Sequence, residues 1–137
     1  MEQIHKPIAK FDEASHQLHI QNGRLKLLID LTEGLNPRLL EDIRSKVIYA
    51  GLSYMWQGIG GSPTLVGNPM ISEEDDGSLT VLITALASLV GVEYRLRLPI
   101  TQPGVLFENL TLSNLGSSSI DLSTFACGFV KGLARQI

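Results

Sequence analysis

The stretch HQLHIQNGRLKLLIDL, from His16 to Leu31, contains the clearest structural signal in the sequence. Two runs that alternate apolar and polar residues flank Asn22-Gly23, a dipeptide typical of two-residue hairpin turns because both positions tolerate positive φ. A turn at this dipeptide predicts that Gln21 pairs with Arg24 across the hairpin. The apolar residues of both strands then share one face, which consists of Leu18, Ile20, Leu25, Leu27 and Ile29.

Strand and turn signals recur along the rest of the chain. VGVEYRLRLPI (90–100) alternates apolar and charged residues until Pro99, which cannot donate a hydrogen bond to a central ladder. ISEEDDGSLTVLITAL (71–86) predicts an acidic hairpin turn at Asp76-Gly77. VLFENLTLSNLGSSSIDL (105–122) predicts strands near 105–115 and 119–129, joined through residues 116–118.

The segment NPRLLEDIRSKVIYA (36–50) has two interpretations. Asn36-Pro37 is a fair helix start, and the apolar residues that follow lie near helical spacing. The alternative is a strand at Arg38–Ile43, a turn at 44–46 and a strand at Val47–Ala50. We take the two strands, because the neighbouring segments are all β. Residues 51–69 are rich in glycine and proline and predict a long loop.

These signals together predict an all-β fold, an antiparallel β-sandwich of about eight to ten strands, since turn signals recur roughly every 8–12 residues. A chain of 137 residues is the length of one ordinary domain. We therefore assign residues 1–15 to an N-terminal arm and residues 16–137 to a single sandwich domain.

Composition excludes several classes of partner. The net charge is −3 and the eleven Lys and Arg are scattered, so no basic stripe for nucleic acid is expected. The uncharged run between Gly77 and Val92 is shorter than the roughly 20 residues of a membrane helix, so no membrane span is expected. We find no signal peptide and favour a cytoplasmic location. The single cysteine, Cys127, cannot form an intrachain disulfide and is interpreted as a buried small hydrophobe.

The motifs that suggest metal or phosphate chemistry have simpler explanations. His16 and His19, placed on one strand, would point to opposite faces and could not bind one ion together. The acidic run at Glu73–Asp76 lacks the spacing of a calcium loop. The glycine-rich stretch at Gly58–Thr64 lacks the lysine of a phosphate loop. The sequence thus predicts no metal site, no cofactor and no catalytic residue.

Three residues are candidates for substrate binding. Trp56, the only tryptophan, and Tyr54 lie in the glycine-rich segment, where an aromatic ring could stack on a sugar. Glu108 is the third, because it interrupts a face otherwise made of leucines, where a lone carboxylate is costly unless paired. Arg95 or Arg97 on a neighbouring strand is the expected partner; a position at the sheet rim or in a pocket is the alternative. For Trp56 the alternative is that it anchors its loop to the core.

The order of these segments resembles the galactose mutarotase-like β-supersandwich, and more narrowly the N-terminal β-domain of α-galactosidase-like glycoside hydrolases. The resemblance spans roughly residues 17–130 and rests on strands and turns rather than on a catalytic motif. The matching positions are Arg38, Leu39, Leu40, Asp42, Lys46, Tyr49, Glu93 to Pro99 and Thr111 to Leu122. Supersandwich domains usually exceed two hundred residues, so this chain would be part of one or a small relative.

The resemblance implies a non-catalytic β-sandwich domain of a carbohydrate-active enzyme that contributes to sugar binding. Its implied partners are a carbohydrate or a catalytic domain, and a homodimer is compatible with it. The catalytic carboxylates of such enzymes belong to a barrel domain, so the resemblance transfers no catalytic residue to this chain. A stand-alone immunoglobulin-like binding or assembly module is the alternative, because the Asn-x-Gly turn at 114–116 is also found in such modules. A small independent enzyme is the third hypothesis.

Overall fold

A computed structural model describes residues 6–32, 36–50 and 63–120, which form two antiparallel sheets. The first sheet is a meander in which spatial order follows chain order. Its strands are β1 (Ile8–Asp12), β2 (Gln17–Asn22), β3 (Leu25–Asp30), β4 (Asn36–Asp42) and β5 (Val47–Ala50). Strand β1 therefore includes residues 8–12 of the segment assigned to the N-terminal arm.

The second sheet is built around a long hairpin. Its strands are β6 (Thr64–Leu65), β7 (Met70–Glu73), β8 (Leu79–Ala87), β9 (Val90–Leu98) and β10 (Phe107–Asn114). The order is β10-β9-β8, and the two short strands β6 and β7 share the other side of β8. The ten described strands and two sheets confirm the predicted all-β, sandwich-like class.

The core lies between the sheets, because β2, β8 and β9 alternate buried and more exposed residues. One contiguous cluster joins both sheets. It consists of Leu18, Ile20, Leu27, Ile29 and Leu31 from the first sheet, and Val81, Ile83, Ala85, Ala87, Val90, Val92, Tyr94, Leu96 and Leu98 from the second. Burying a large apolar side chain of this kind contributes about 1.5–3 kcal/mol, so this cluster is the main stabilising element.

The first hairpin turns at Gly23-Arg24 rather than at Asn22-Gly23. Asn22 pairs with Leu25 and Gln21 pairs with Lys26, so the predicted pairing of Gln21 with Arg24 is wrong. Gly23 has φ +59 at the first turn position, as in turns that require glycine only there. The predicted apolar face is nevertheless right, because a shift of two residues keeps every side chain on its own side of the sheet.

Asn22 explains the change of register. It belongs to β2 and points inward, where its side chain is 1% exposed. Its Nδ2 donates to the carbonyl oxygens of Pro99 at 3.1 Å, Gln102 at 3.2 Å and Val105 at 2.8 Å. The backbone carbonyl of Asn22 accepts a hydrogen bond from Gly104 N at 2.9 Å. The side chain therefore ties the first hairpin to residues 99–105, which follow β9.

The segment 36–50 forms two strands, which confirms the β interpretation over the helical one. The hairpin closes at the pair Asp42 and Val47, and Lys46 completes the turn with φ +59. The Asp42 carboxylate accepts from the backbone N–H of Arg44 at 3.1 Å and of Ser45 at 3.4 Å. An aspartate that bonds backbone groups two and three residues ahead favours a turn over a continuing helix.

Other turn predictions are also confirmed. Strand β9 ends at Leu98, directly before Pro99. The acidic hairpin joins β7 to β8 through residues 74–78, with Gly77 at φ +97 and Ser78 N donating to Asp76 Oδ1 at 2.8 Å. The strand predicted near 105–115 is β10. The return strand predicted near 119–129 lies almost wholly outside the described residues.

Candidate functional site

A cleft of about 490 Å³ opens where β1 turns into β2 and where β3 ends. We call it the turn-end cleft and define it by His16, Leu31, Thr32, Thr64, Leu65 and Asn68. Its volume is within the usual range for pockets that hold small ligands, roughly 300–1,000 Å³. The cleft lies between the two sheets, because its residues come from the edge of the first sheet and from β6 and its following loop.

Local hydrogen bonds hold the backbone of His16 and the side chain of Thr32. His16 is in the turn before β2, with φ +54, and its carbonyl accepts from Leu31 N at 2.8 Å. Thr32 donates from its hydroxyl to Asp30 Oδ1 at 2.7 Å and from its backbone N–H to the same atom at 3.0 Å. These contacts bring an imidazole and a hydroxyl to the same side of the cleft.

The opposite wall comes from the second sheet. Thr64 begins β6 and is exposed, and Asn68 follows Gly67, which has φ +79. Asn68 Nδ2 donates to Glu13 Oε1 at 2.9 Å, which links this loop to the turn between β1 and β2. The polar side chains that line the cleft are thus a histidine, two threonines and an asparagine. Groups of this kind donate and accept hydrogen bonds without a fixed charge.

The structure accounts for Glu108, the carboxylate that interrupts a leucine face. Glu108 lies on the core-facing side of β10, and its Oε1 accepts from the Tyr94 hydroxyl at 2.6 Å. Tyr94 is 1% exposed, and a buried phenol needs a partner for its O–H. The carboxylate itself is exposed to solvent. A role for Glu108 in substrate binding stays a prediction.

The expected pairing of Glu108 with Arg95 or Arg97 is not what the structure shows. Both arginines lie on the outer face of β9, opposite the face that carries Tyr94. Arg97 Nε instead donates to Glu74 Oε2 at 2.9 Å. This contact lowers the pKa of Glu74 and raises the pKa of Arg97. Glu74, a member of the acidic run at Glu73–Asp76, is therefore paired across the sheet.

Tyr54 and Trp56 lie in residues 51–62, outside the described part of the chain, as does Cys127. Their predicted roles stay predictions. Residues 63–65 continue directly from that segment and lead into the turn-end cleft, since Thr64 and Leu65 are among its lining residues. In the sequence, Trp56 precedes Thr64 by eight residues.

Neither His16 nor His19 belongs to a metal centre among the described residues. His16 precedes β2 rather than lying on it, so the expected strand position is wrong; His19 is on the outer face of the first sheet. The described ranges contain no group of three or more His, Cys, Asp or Glu arranged to hold a metal ion. They also contain no helix with the length and hydropathy needed to cross a membrane.

Comparisons of the chain with protein-family models, with curated proteins and with solved structures find no match. Thr32, Thr64 and Asn68 had no sequence signal that marked them, because threonine and asparagine are ordinary in strands and turns. Only the packing of the two sheets brings residues 32 and 64–68 together. Asn68-Pro69 was recognised as a loop element, which is correct but carries no chemical information.

Proposed function

We propose that this chain is a non-catalytic β-sandwich domain of a carbohydrate-active enzyme, related to the galactose mutarotase-like supersandwich, and that its turn-end cleft binds a neutral sugar. The observation that carries the proposal is the lining of that cleft. Hydroxyl, amide and imidazole groups lie beside Leu65, which is partly exposed, and Leu31, which belongs to the core. Sugars present the same combination, with hydroxyl groups around the rim of each ring and C–H groups on its faces.

The two-sheet architecture supports the proposal at a coarse level, since a supersandwich is also built from antiparallel sheets packed face to face. The described ion pairs and buried hydrogen bonds support a scaffolding role for their acidic members. Asp42 bonds Arg24, Glu74 bonds Arg97, and Glu108 bonds Tyr94. The Asp42–Arg24 and Glu108–Tyr94 contacts connect neighbouring strands or their ends, and the Glu74–Arg97 contact spans β8.

An exposed apolar tip supports the presence of a covering partner domain. Leu89 is 61% exposed and Leu115 is 60% exposed, and Leu115 N donates to Leu89 O at 2.8 Å. Leu86, 41% exposed, pairs with Gly91 beside them. A stand-alone immunoglobulin-like module should present no such contiguous patch, because exposed apolar clusters favour association. The tip therefore favours the enzyme-associated domain over the alternative.

The test is a titration with galactose, glucose, mannose and their short oligomers. Chemical-shift changes at the backbone amides of residues 16, 32, 64 and 68 report on the cleft, and Trp56 fluorescence reports on the aromatic segment. We expect Thr64→Val and Asn68→Ala to weaken binding roughly 2- to 10-fold each, the effect of losing a neutral hydrogen bond. Thr84→Val, on the outer face of the second sheet, is the matched control and should bind like the unmodified protein.

If no sugar shifts the amides of the cleft, sugar binding there is excluded. The same holds if the shifts are unchanged in Thr64→Val and Asn68→Ala. A separate assay addresses catalysis. We expect the purified chain neither to hydrolyse aryl-glycosides nor to accelerate mutarotation. Turnover that is lost in the Glu108→Gln variant would contradict the non-catalytic domain and indicate an independent enzyme.

A further inference from the structure

A second cleft, of about 770 Å³, opens at the opposite end of the first sheet, where β2 turns into β3. We call it the hairpin-end cleft. Three parts of the first sheet meet there: the start of β1 with Lys6 before it, the Gly23-Arg24 turn, and the turn between β4 and β5. Pro103, from the segment that Asn22 holds, closes one side. The residues that define the cleft are Lys6, Ile8, Arg24, Ile43, Arg44 and Pro103.

All ionisable side chains that line this cleft are cationic, although the chain as a whole has a net charge of −3. Arg24 is paired with Asp42. Within residues 6–32, 36–50 and 63–120, Lys6 and Arg44 have no acidic partner, and both side chains are exposed. The cleft therefore carries an excess of two positive charges, which concentrates anions near its opening.

Asp42 positions two of the three cationic residues. Its carboxylate accepts from Arg24 Nε at 2.8 Å and forms a second, parallel bond with the same guanidinium. It also accepts from Arg44 N, and Ile43 N donates to Arg24 O at 2.7 Å. A paired guanidinium is held in one orientation, and the turn that carries Arg44 is anchored to the same carboxylate. The Arg24 guanidinium and the backbone of the turn that carries Arg44 are thus fixed before any ligand arrives, which reduces part of the entropy cost of binding.

The floor of the cleft is apolar. Ile8 is 52% exposed, Ile43 is 37% exposed, and Pro103 is also exposed. Exposed apolar side chains beside cations without an acidic partner favour a ligand that has both an apolar part and an anionic group. A metal cation would be repelled. A polyanion such as nucleic acid would need a track of charges, whereas these cations border a single cleft.

We propose that the hairpin-end cleft binds a small organic anion, in which a carboxylate or phosphate group contacts Lys6 and Arg44 and an apolar body contacts Ile8, Ile43 and Pro103. Arg24 contributes to the local positive potential and stays bonded to Asp42. The ligand class differs from the neutral sugar proposed for the turn-end cleft, and the two sites share no residue. The hairpin-end proposal therefore stands or fails independently.

The test uses benzoate and phenyl phosphate as anionic probes and benzyl alcohol as a neutral probe of similar shape, each followed by amide chemical shifts. We expect both anions to shift residues 23, 24, 43 and 44, with a Kd of about 1 mM or tighter for ligands of about ten non-hydrogen atoms. The tighter of the two anions identifies the preferred head group. Benzyl alcohol should bind at least about tenfold more weakly, and added NaCl should weaken the anions alone.

The variant Lys6→Gln/Arg44→Gln removes both unpaired charges from exposed positions and should weaken the anions about tenfold or more. Lys10→Gln is the matched control, because Lys10 is an exposed cation of β1 that does not line the cleft. Equal affinity for benzoate and benzyl alcohol, or unchanged anion binding in the double variant, would overturn the proposal. So would the lack of any shift at residues 23, 24, 43 and 44 with both anions.

Discussion

The two ends of the first sheet are built by different kinds of contact. At the hairpin end, a buried asparagine and a glycine hold the β2–β3 turn against a segment about eighty residues further along the chain. At the turn end, the Thr32 hydroxyl donates to Asp30 and the Asn68 amide donates to Glu13, and both hydrogen bonds are exposed. The first arrangement depends on the buried Asn22 amide, whose bond to Pro99 is buried and whose bonds to Gln102 and Val105 are partly buried. The second can exchange its partners for water.

This difference indicates where the fold tolerates change. A buried carbonyl that loses its donor keeps the full cost of desolvation, whereas an exposed one recovers a hydrogen bond from solvent. The hairpin end should therefore be sensitive to single substitutions and the turn end tolerant. The turn-end cleft can thus vary in sequence without loss of the fold, while the hairpin-end cleft shares its structural supports with the core.

The largest expected effect is that of Asn22→Ala. The substitution removes the amide that serves three backbone carbonyls and leaves a gap in the buried end of the sandwich. We expect the free energy of unfolding to fall by about 3 kcal/mol, since each unsatisfied buried group costs about 1–3 kcal/mol. Urea unfolding followed by circular dichroism measures the change.

Asn68→Ala is the control for Asn22→Ala at the other end of the sheet. It also deletes an asparagine amide with a known acceptor, but Asn68 and its acceptor Glu13 are both exposed. We expect a change within about 0.5 kcal/mol. Equal losses for the two variants would show that burial does not distinguish the two ends.

Gly23→Ala should have the second largest effect. Gly23 has φ +59, and a Cβ added there would lie 2.7 Å from Pro103 Cβ. The left-handed conformation alone costs an L-residue roughly 1–2 kcal/mol, so with the close contact we expect a loss of about 2 kcal/mol. The melting temperature and the urea midpoint both report it.

His16→Gly makes the reverse change at the turn end, where a non-glycine residue already has φ +54. Relief of backbone strain opposes the greater freedom that glycine gives the unfolded chain, so the net change should stay within about 1 kcal/mol of zero. A loss as large as that of Gly23→Ala would mean that the turn end is equally constrained.

The smallest effect concerns acid. Hydrogen bonding from Arg24 lowers the pKa of Asp42 from 3.8 to about 2. A carboxylate with a lowered pKa in the folded state stabilises the protein fully above its unfolded pKa. That stabilisation is lost as the pH falls from about 4 towards 2. We expect Asp42→Asn to remove this part of the pH dependence in urea titrations. Asp75→Asn, an exposed carboxylate of the acidic turn, should leave it in place.

The faces of the strands could be predicted from the sequence, but the register of the first hairpin could not. Alternation alone identified Leu18, Ile20 and Ile29 as core. The position of the turn depended on Asn22, whose inward rotation is determined by carbonyls at residues 99–105. No local rule contains that information, and Asn-Gly is a turn signal in isolation. The turn within residues 36–50 could be predicted from the sequence, because the Asp42 carboxylate bonds backbone N–H groups two and three residues ahead.

The two clefts were beyond sequence analysis for a similar reason. Lys6, Arg24 and Arg44 are separated by about twenty residues each, and only the meander of the first sheet brings them to one end. His16 and Asn68 meet through the packing of two sheets. Glu108 was recognised as unusual from its leucine neighbours, but its tyrosine partner required the register between β9 and β10.

The two short strands β6 and β7, each of which pairs with β8, have a consequence for self-association. Strand β8 is nine residues long, and a bare edge of that length would be a template for the strands of other molecules. Two short strands cover it, and Gly67 and Pro69 bend the chain between them. Another molecule therefore meets a broken, kinked border instead of a straight ladder. This border should limit β-aggregation on that side of the domain during folding.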